Sequence, residues 1–82
     1  MKNKQISFTC SNGETLVVRQ SGPLSERVYK SWYSGKPGSL FDGNIKQGER
    51  FTDVAYNILK AVEAAIKASN LTGESVNNLL LS

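Results

Sequence analysis

Apolar residues recur with a helical period over residues 52–68, and on a helical wheel they cover roughly half of the circumference. The apolar members are Val54, Ala55, Ile58, Leu59, Ala61, Val62, Ala65, Ile66 and Ala68. Charged and amide side chains occupy the opposite half. Thr52 is the expected N-cap, and Asp53 suits the positive end of the helix dipole. The pattern predicts a long amphipathic helix with one buried face.

Two short segments upstream, residues 4–10 and 15–20, alternate as β-strands do and flank a turn sequence at residues 11–13. A three-residue loop with Gly13 in the left-handed conformation gathers the apolar residues of both strands on one face. A two-residue loop would instead scatter them over both faces. We therefore predict a β-hairpin with the longer loop. Its buried face comprises Ile6, Phe8, Cys10, Leu16 and Val18.

A third strand is predicted over about residues 26–33, and it carries aromatic residues on both faces. One face consists of Val28, Lys30 and Trp32. The other consists of Arg27, Tyr29, Ser31 and Tyr33. We favour an orientation with Val28 and Trp32 toward the core and the aliphatic stem of Lys30 along its rim. The alternation fits the reverse orientation nearly as well.

The remaining segments complete the expected fold. Residues 34–39 have the composition of a turn, and a short fourth strand is expected between residues 39 and 46. Asn70 suits the end of the long helix, and Thr72 is placed to cap a short terminal helix. We predict an α+β fold in which an antiparallel β-sheet of three to four strands packs one face on the long helix, with a short C-terminal helix beside it. Residues 1–82 are expected to form a single domain.

The composition excludes most kinds of catalytic site. The chain has no histidine, which excludes Ser-His-Asp and Cys-His arrangements as well as histidine metal ligands. Cys10 is the only cysteine, so we interpret it as a core residue rather than part of a disulfide or metal site. The loop at residues 35–39 lacks the order of a phosphate-binding loop, because Pro37 separates Lys36 from Ser39. We expect a protein that is not an enzyme and needs no cofactor or metal.

Hydropathy bears on the cellular location of the protein, and the distribution of charge bears on its binding partners. No apolar run reaches the roughly 18 residues of a membrane span, and no signal-peptide core follows residues 1–5, so we expect a cytoplasmic protein without a membrane partner. The net charge is +3, and residues 1–51 carry eight basic residues against four acidic ones. A polyanion would therefore contact the first half of the chain.

The third strand holds the most informative side chains, because it interleaves aromatic with basic residues. Such surfaces bind proteins, and sheet faces of this kind also bind single-stranded nucleic acid. With the favoured orientation, the candidate partner-binding residues are Arg27, Tyr29, Tyr33 and Lys36. The alternative set on a sheet face is Arg19, Lys30 and Trp32.

We favour protein–protein contact as the function, in an accessory, adaptor or inhibitor role. In size and style the chain resembles the compact accessory proteins of phages and mobile elements, some of which inhibit host defence complexes. A single-stranded nucleic-acid-binding module is the alternative, although the basic residues are dispersed and an RNP-type pattern is absent. A further alternative is a homo-oligomeric structural component, whose contacts would come from the terminal leucines Leu79, Leu80 and Leu81. We expect the protein to be a monomer or a small homo-oligomer.

Overall fold

The computed structural model describes residues 3–81, and at Leu81 it describes the backbone only. One antiparallel sheet contains four strands in the spatial order in which they follow one another along the chain. The strands are β1 (Lys4–Thr9), β2 (Thr15–Ser21), β3 (Val28–Tyr33) and β4 (Asp42–Asn44). The helices are α1 (Phe51–Thr72) and α2 (Val76–Leu81). The predicted α+β fold is confirmed.

The first hairpin has the predicted register. Phe8 lies opposite Leu16 in the β1–β2 pair. The Cys10 N–H donates a 2.7 Å hydrogen bond to the Glu14 carbonyl, which closes a three-residue loop. Gly13 occupies this loop with a φ of 87°, a conformation that glycine adopts without the steric penalty of a Cβ atom. The loop therefore directs the apolar residues of both strands to one face.

Helix α1 packs on this face, which we call the inner face. On the two central strands the inner face comprises Leu16, Val18, Gln20, Ser31 and Tyr33. The buried residues of α1 are Phe51, Val54, Ala55, Ile58, Val62 and Ile66. The Phe8 ring lies 5.3 Å from the Tyr56 ring, and the Ser11 N–H donates a 2.8 Å hydrogen bond to Glu63 Oε1. These two contacts show that α1 runs in the direction of β1.

Both ends of α1 differ from the prediction. The N-cap residue is Arg50, without a side-chain capping hydrogen bond, so Thr52 lies inside the first turn. At the other end, Gly73 adopts a φ of 79° and its N–H donates a 2.9 Å hydrogen bond to the Ser69 carbonyl. Asn70 therefore stays within the helix, because the left-handed residue that ends it is a glycine three positions later.

Helix α2 folds back onto the core beside the turn that follows β3. Ser75, rather than the predicted Thr72, caps it by accepting a 3.2 Å hydrogen bond from the Asn78 N–H. Asn77 Nδ2 donates a 2.6 Å hydrogen bond to the Gly35 carbonyl. The side chains of α2 that pack against the core are Val76 and Leu80. This helix thus closes the end of the core near the C-terminus of α1.

The orientation of β3 is opposite to the one we favoured. Ser31 is fully buried and Tyr33 is 3% exposed, so both face the core, and Tyr29 packs partly buried beside them. Val28 is 39% exposed on the other side of the sheet, together with Trp32. The prediction that Val28 and Trp32 face inward is therefore wrong.

Two side chains explain this orientation. Lys30 stays exposed, so no ammonium group has to leave water. Ser31 is tolerated in the core because its hydroxyl both donates and accepts a hydrogen bond. Its Oγ accepts a 2.9 Å hydrogen bond from the Phe41 N–H and donates a 3.0 Å hydrogen bond to the Phe41 carbonyl. Burial of a small, fully hydrogen-bonded hydroxyl costs less free energy than burial of a charged group.

Candidate functional site

The two tyrosines predicted as partner contacts lie on the inner face. Tyr33 is 3% exposed, and its hydroxyl accepts a 2.8 Å hydrogen bond from Asn12 Nδ2. Tyr29 is half-buried and packs against the core, with its ring close to the backbone of Gly43. A partner cannot reach Tyr33 without opening the fold, so the expected use of Tyr33 as a surface anchor is corrected.

Arg27 and Lys36, the other two members of that set, lie at opposite ends of β3. Arg27 Nη2 donates hydrogen bonds of 3.0 Å to the Lys46 carbonyl and 2.8 Å to the Glu49 carbonyl, which holds the turn that leads into α1. Lys36 lies in the turn after β3. The strand between them is about 20 Å long, from a rise of about 3.3 Å per residue. The structure therefore does not bring this set together.

The alternative set does come together, on the face of the sheet opposite α1. We call it the outer face, and on the central strands it comprises Val17, Arg19, Val28, Lys30 and Trp32. The Arg19 guanidinium carbon lies 5.1 Å from the centroid of a Trp32 ring, a cation–π geometry. Arg19 Nε and Nη2 also donate to Gln5 Oε1 at 3.2 Å and 3.0 Å. Lys30 lies directly opposite Arg19 in the β2–β3 pair.

A shallow depression of about 510 Å³ surrounds this pair of side chains. Its lining includes Arg19, Val28, Lys30, Trp32, Asp42 and Asn44. Asp42 lies opposite Lys30 across the β3–β4 pair, so an acid and a base are neighbours on the same face. The surface thus combines an indole, aliphatic carbon, two cations and one carboxylate. Both helices pack on the inner face and leave Arg19 and Lys30 exposed.

Comparison with known proteins identifies no relative. No family model, curated protein or solved structure matches the chain. Within residues 3–81, no helix has the length and apolar character needed to span a membrane. Function is therefore inferred from the geometry of the outer face.

Sequence reasoning missed two members of the outer face, Gln5 and Asp42. The predicted hairpin register already placed Gln5 opposite Arg19, so this contact was available as a signal and was not used. The pairing of Asp42 with Lys30 depends on a strand of only three residues, whose register the sequence does not define. Short strands carry too few alternating residues to reveal which face they present.

Cys10 is a core residue, as interpreted from the sequence. It is 3% exposed at the end of the first hairpin. Burial raises the pKa of its thiol, and the nearby carboxylates of Glu63 and Glu14 raise that pKa further. The thiol is therefore protonated at neutral pH and is poorly suited to nucleophilic or metal chemistry. Among the residues that the structure describes, no cluster of three histidine, cysteine or acidic side chains could hold a metal.

The terminal leucines Leu79 and Leu80 are both at least partly buried. Leu80 packs against the core, and Leu79 is half-buried. The side chain of Leu81 lies outside the described part of the chain. Leu80 therefore already has a role within the fold.

Proposed function

We propose that this protein binds a partner protein through the outer face of its sheet and has no catalytic activity. The observation that carries the proposal is the Arg19–Trp32 pair, with 5.1 Å between the guanidinium carbon and the ring centroid. Tryptophan and arginine are enriched among the residues that contribute most to binding in protein interfaces. Gln5 restrains the guanidinium through two hydrogen bonds, so less side-chain freedom is lost on binding.

The chemistry of this surface defines the expected partner. Trp32 would enter an apolar pocket, and acidic residues around that pocket would face Arg19 and Lys30. Asp42 would repel partners whose acidic residues lie on the β4 side, which adds specificity. A partner of this kind fits an accessory, adaptor or inhibitor role in the cytoplasm, including inhibition of a host complex.

The test is capture of a partner by tagged protein from a lysate of the source organism, with and without nuclease. We expect a discrete protein that survives nuclease treatment and is lost with Trp32→Ala. Tyr56→Ala is the matched control, because Tyr56 is a 52% exposed aromatic residue on the helix side of the molecule. Circular dichroism confirms that both variants are folded. Equal retention of the same protein by Trp32→Ala would reject the outer face as the binding surface.

Single-stranded nucleic acid is the second candidate, since Arg19 and Lys30 lie on adjacent strands beside an indole. It ranks second because Arg19 covers a face of the Trp32 ring that a base would need for stacking. Two phosphate contacts predict a logarithmic salt slope of about −1.4 for a single strand. Fluorescence anisotropy of a labelled oligonucleotide between 20 and roughly 200 mM salt measures this slope. A flat response, or absence of binding at low salt, excludes this function.

A further inference from the structure

A separate cavity lies where α1 begins, at the end of the sheet far from the first hairpin loop. It has a volume of about 500 Å³. Its lining includes Lys4, Gln20, Arg27, Glu49, Arg50 and Phe51. This cavity opens on the inner side of the sheet, whereas the Arg19–Trp32 pair lies on the outer face. A ligand here would therefore not compete with the proposed protein partner for the same side chains.

Gln20 gives this cavity an unpaired polar group. The side chain is 2% exposed, and its Oε1 has no hydrogen-bond partner among the residues that the structure describes. A buried polar atom without a partner lowers stability, so such atoms in proteins usually pair with a ligand or a water molecule. A half-turn of the amide exchanges Oε1 and Nε2 at little cost, which allows the same side chain to accept or to donate.

The start of α1 supplies further donors. Its first intrahelical hydrogen bond runs from the Val54 N–H to the Arg50 carbonyl at 3.2 Å. The N–H groups of the preceding helical residues therefore have no partner within the helix, and the side chain of the N-cap residue Arg50 makes no capping hydrogen bond. Two of these residues, Phe51 and Thr52, line the cavity. The positive end of a helix of 22 residues thus faces the same space as Gln20.

The charges around the cavity favour an anion. Lys4, Arg27 and Arg50 line it together with a single carboxylate, Glu49. Arg27 uses Nη2 for two backbone carbonyls, and its Nε and Nη1 donate to no other residue within 3–81, so they can serve a ligand. Glu49 Oε1 already accepts a 3.1 Å hydrogen bond from the Lys46 N–H, so part of its charge is neutralised locally. Three cations against one carboxylate give the cavity a net positive charge.

We propose that this cavity is a binding site for a phosphate-type oxyanion, either free phosphate or the terminal phosphate of a small molecule. The first N–H groups of α1 and the Arg50 guanidinium donate hydrogen bonds to the oxyanion, and the Gln20 amide, turned by half a rotation, donates through Nε2. Lys4 and Arg27 add positive charge. The combination of a helix N-terminus, a guanidinium with several N–H donors and a buried amide is suited to a tetrahedral anion rather than to a single-atom halide.

The test is a titration of ¹⁵N-labelled full-length protein followed by amide chemical shifts. Sodium phosphate and phenyl phosphate are added in separate arms, with sodium chloride at matched ionic strength as the reference. We expect saturable shifts at the Phe51 and Thr52 amides and at the Gln20 side-chain amide with phosphate but not with chloride. Tighter binding of phenyl phosphate identifies a phosphorylated small molecule as the source, and equal or weaker binding identifies free phosphate. Shifts that do not saturate, or that chloride reproduces, overturn the proposal.

Two variants identify the binding groups. Gln20→Leu and Arg50→Ala should each raise the dissociation constant about tenfold, because each removes a hydrogen bond to a charged ligand. Gln20→Leu replaces an unpaired buried amide with an apolar side chain and should not unfold the protein. Arg50 is exposed, so its removal tests the site independently of core packing. Lys67→Ala is the matched control, since it removes one positive charge from the exposed side of α1. Equal weakening by Lys67→Ala, or unchanged affinity in both site variants, would reject the site.

Discussion

Trp32 and Tyr33 are adjacent aromatic residues of β3 with opposite environments. Tyr33 is 3% exposed within the core, and its hydroxyl is paired with Asn12. Trp32 lies on the outer face beneath the guanidinium of Arg19. Residue type alone does not distinguish them, because both are large, aromatic and good strand formers. Their roles differ because cross-strand neighbours determine which aromatic residue forms the core and which remains available to a partner.

The largest expected difference between the two residues is in folding stability. Tyr33→Ala should lower the free energy of unfolding by about 3 kcal/mol or more, because it leaves a cavity in the core. Trp32→Ala should lower it by under about 1 kcal/mol, since substitutions on a surface usually have small effects. Urea unfolding measures both values. Tyr33→Phe separates the hydrogen bond to Asn12 from packing and should cost about 1 kcal/mol. Similar losses for the two alanine variants would contradict the assignment of the faces.

The second test concerns Ser31, the small residue that allows its face of β3 to be buried. Ser31→Val should lower the free energy of unfolding by about 2 kcal/mol, because it overpacks the core and leaves the Phe41 N–H without its side-chain partner. Ser7→Val is the matched control, since Ser7 is an exposed strand residue on the outer side of β1. Urea unfolding of Ser7→Val should show no loss. A stable Ser31→Val protein would mean that the hydroxyl of Ser31 is not needed.

A third, smaller effect should be visible in fluorescence, because Trp32 is the only tryptophan. Arg19→Ala uncovers the indole ring, so its emission should move to longer wavelength and acrylamide quenching should increase. The free energy of unfolding should change by about 0.5 kcal/mol, as expected for an exposed cation–π contact. Lys60→Ala removes an exposed cation on the helix side and should leave the emission unchanged. An unaltered spectrum for Arg19→Ala would show that Arg19 does not cover the ring in solution.

The smallest expected effect is a pH dependence from Cys10. Its folded-state pKa is raised above the ordinary value of 9.0, so the folded protein holds the proton more tightly than the unfolded chain. This contribution to stability is fully present below pH 9.0 and is lost as the pH rises through the folded-state pKa. Urea unfolding between pH 8 and roughly 10.5 should therefore show a decline that is weaker in Cys10→Ala. The same decline in both proteins would assign it to other groups.

The first hairpin and the long helix could be predicted because their determinants are local. Residues 11–13 permit one register that gathers the apolar residues, and the 3.6-residue period alone identifies the buried face of α1. The orientation of β3 depends instead on contacts distant in sequence, chiefly the hydrogen bonds between Ser31 and Phe41. Two alternating faces of similar composition contain no local signal that separates them.

The candidate binding surfaces also depend on contacts between residues that are distant in sequence. Sequence reasoning included Arg19, Lys30 and Trp32 as an alternative set, but only the pairing of β2 with β3 brings them together. The cavity at the start of α1 was not anticipated. Gln20 is an ordinary polar residue near the end of a strand, and its burial depends on how the beginning of α1 packs over it. Local patterns do not report such packing.

The simple strand order has a consequence for how the chain folds. Each strand pairs with the strand that precedes or follows it, so every step of sheet assembly closes a short loop with a small entropic penalty. The contact between Ser11 and Glu63 is different, because it joins residues 52 positions apart. Folding rates fall as the average sequence separation of contacts increases. We therefore expect hairpins to form first and the docking of α1 to limit the folding rate, so a nascent chain would keep the inner face of its sheet exposed until the helix has been synthesised.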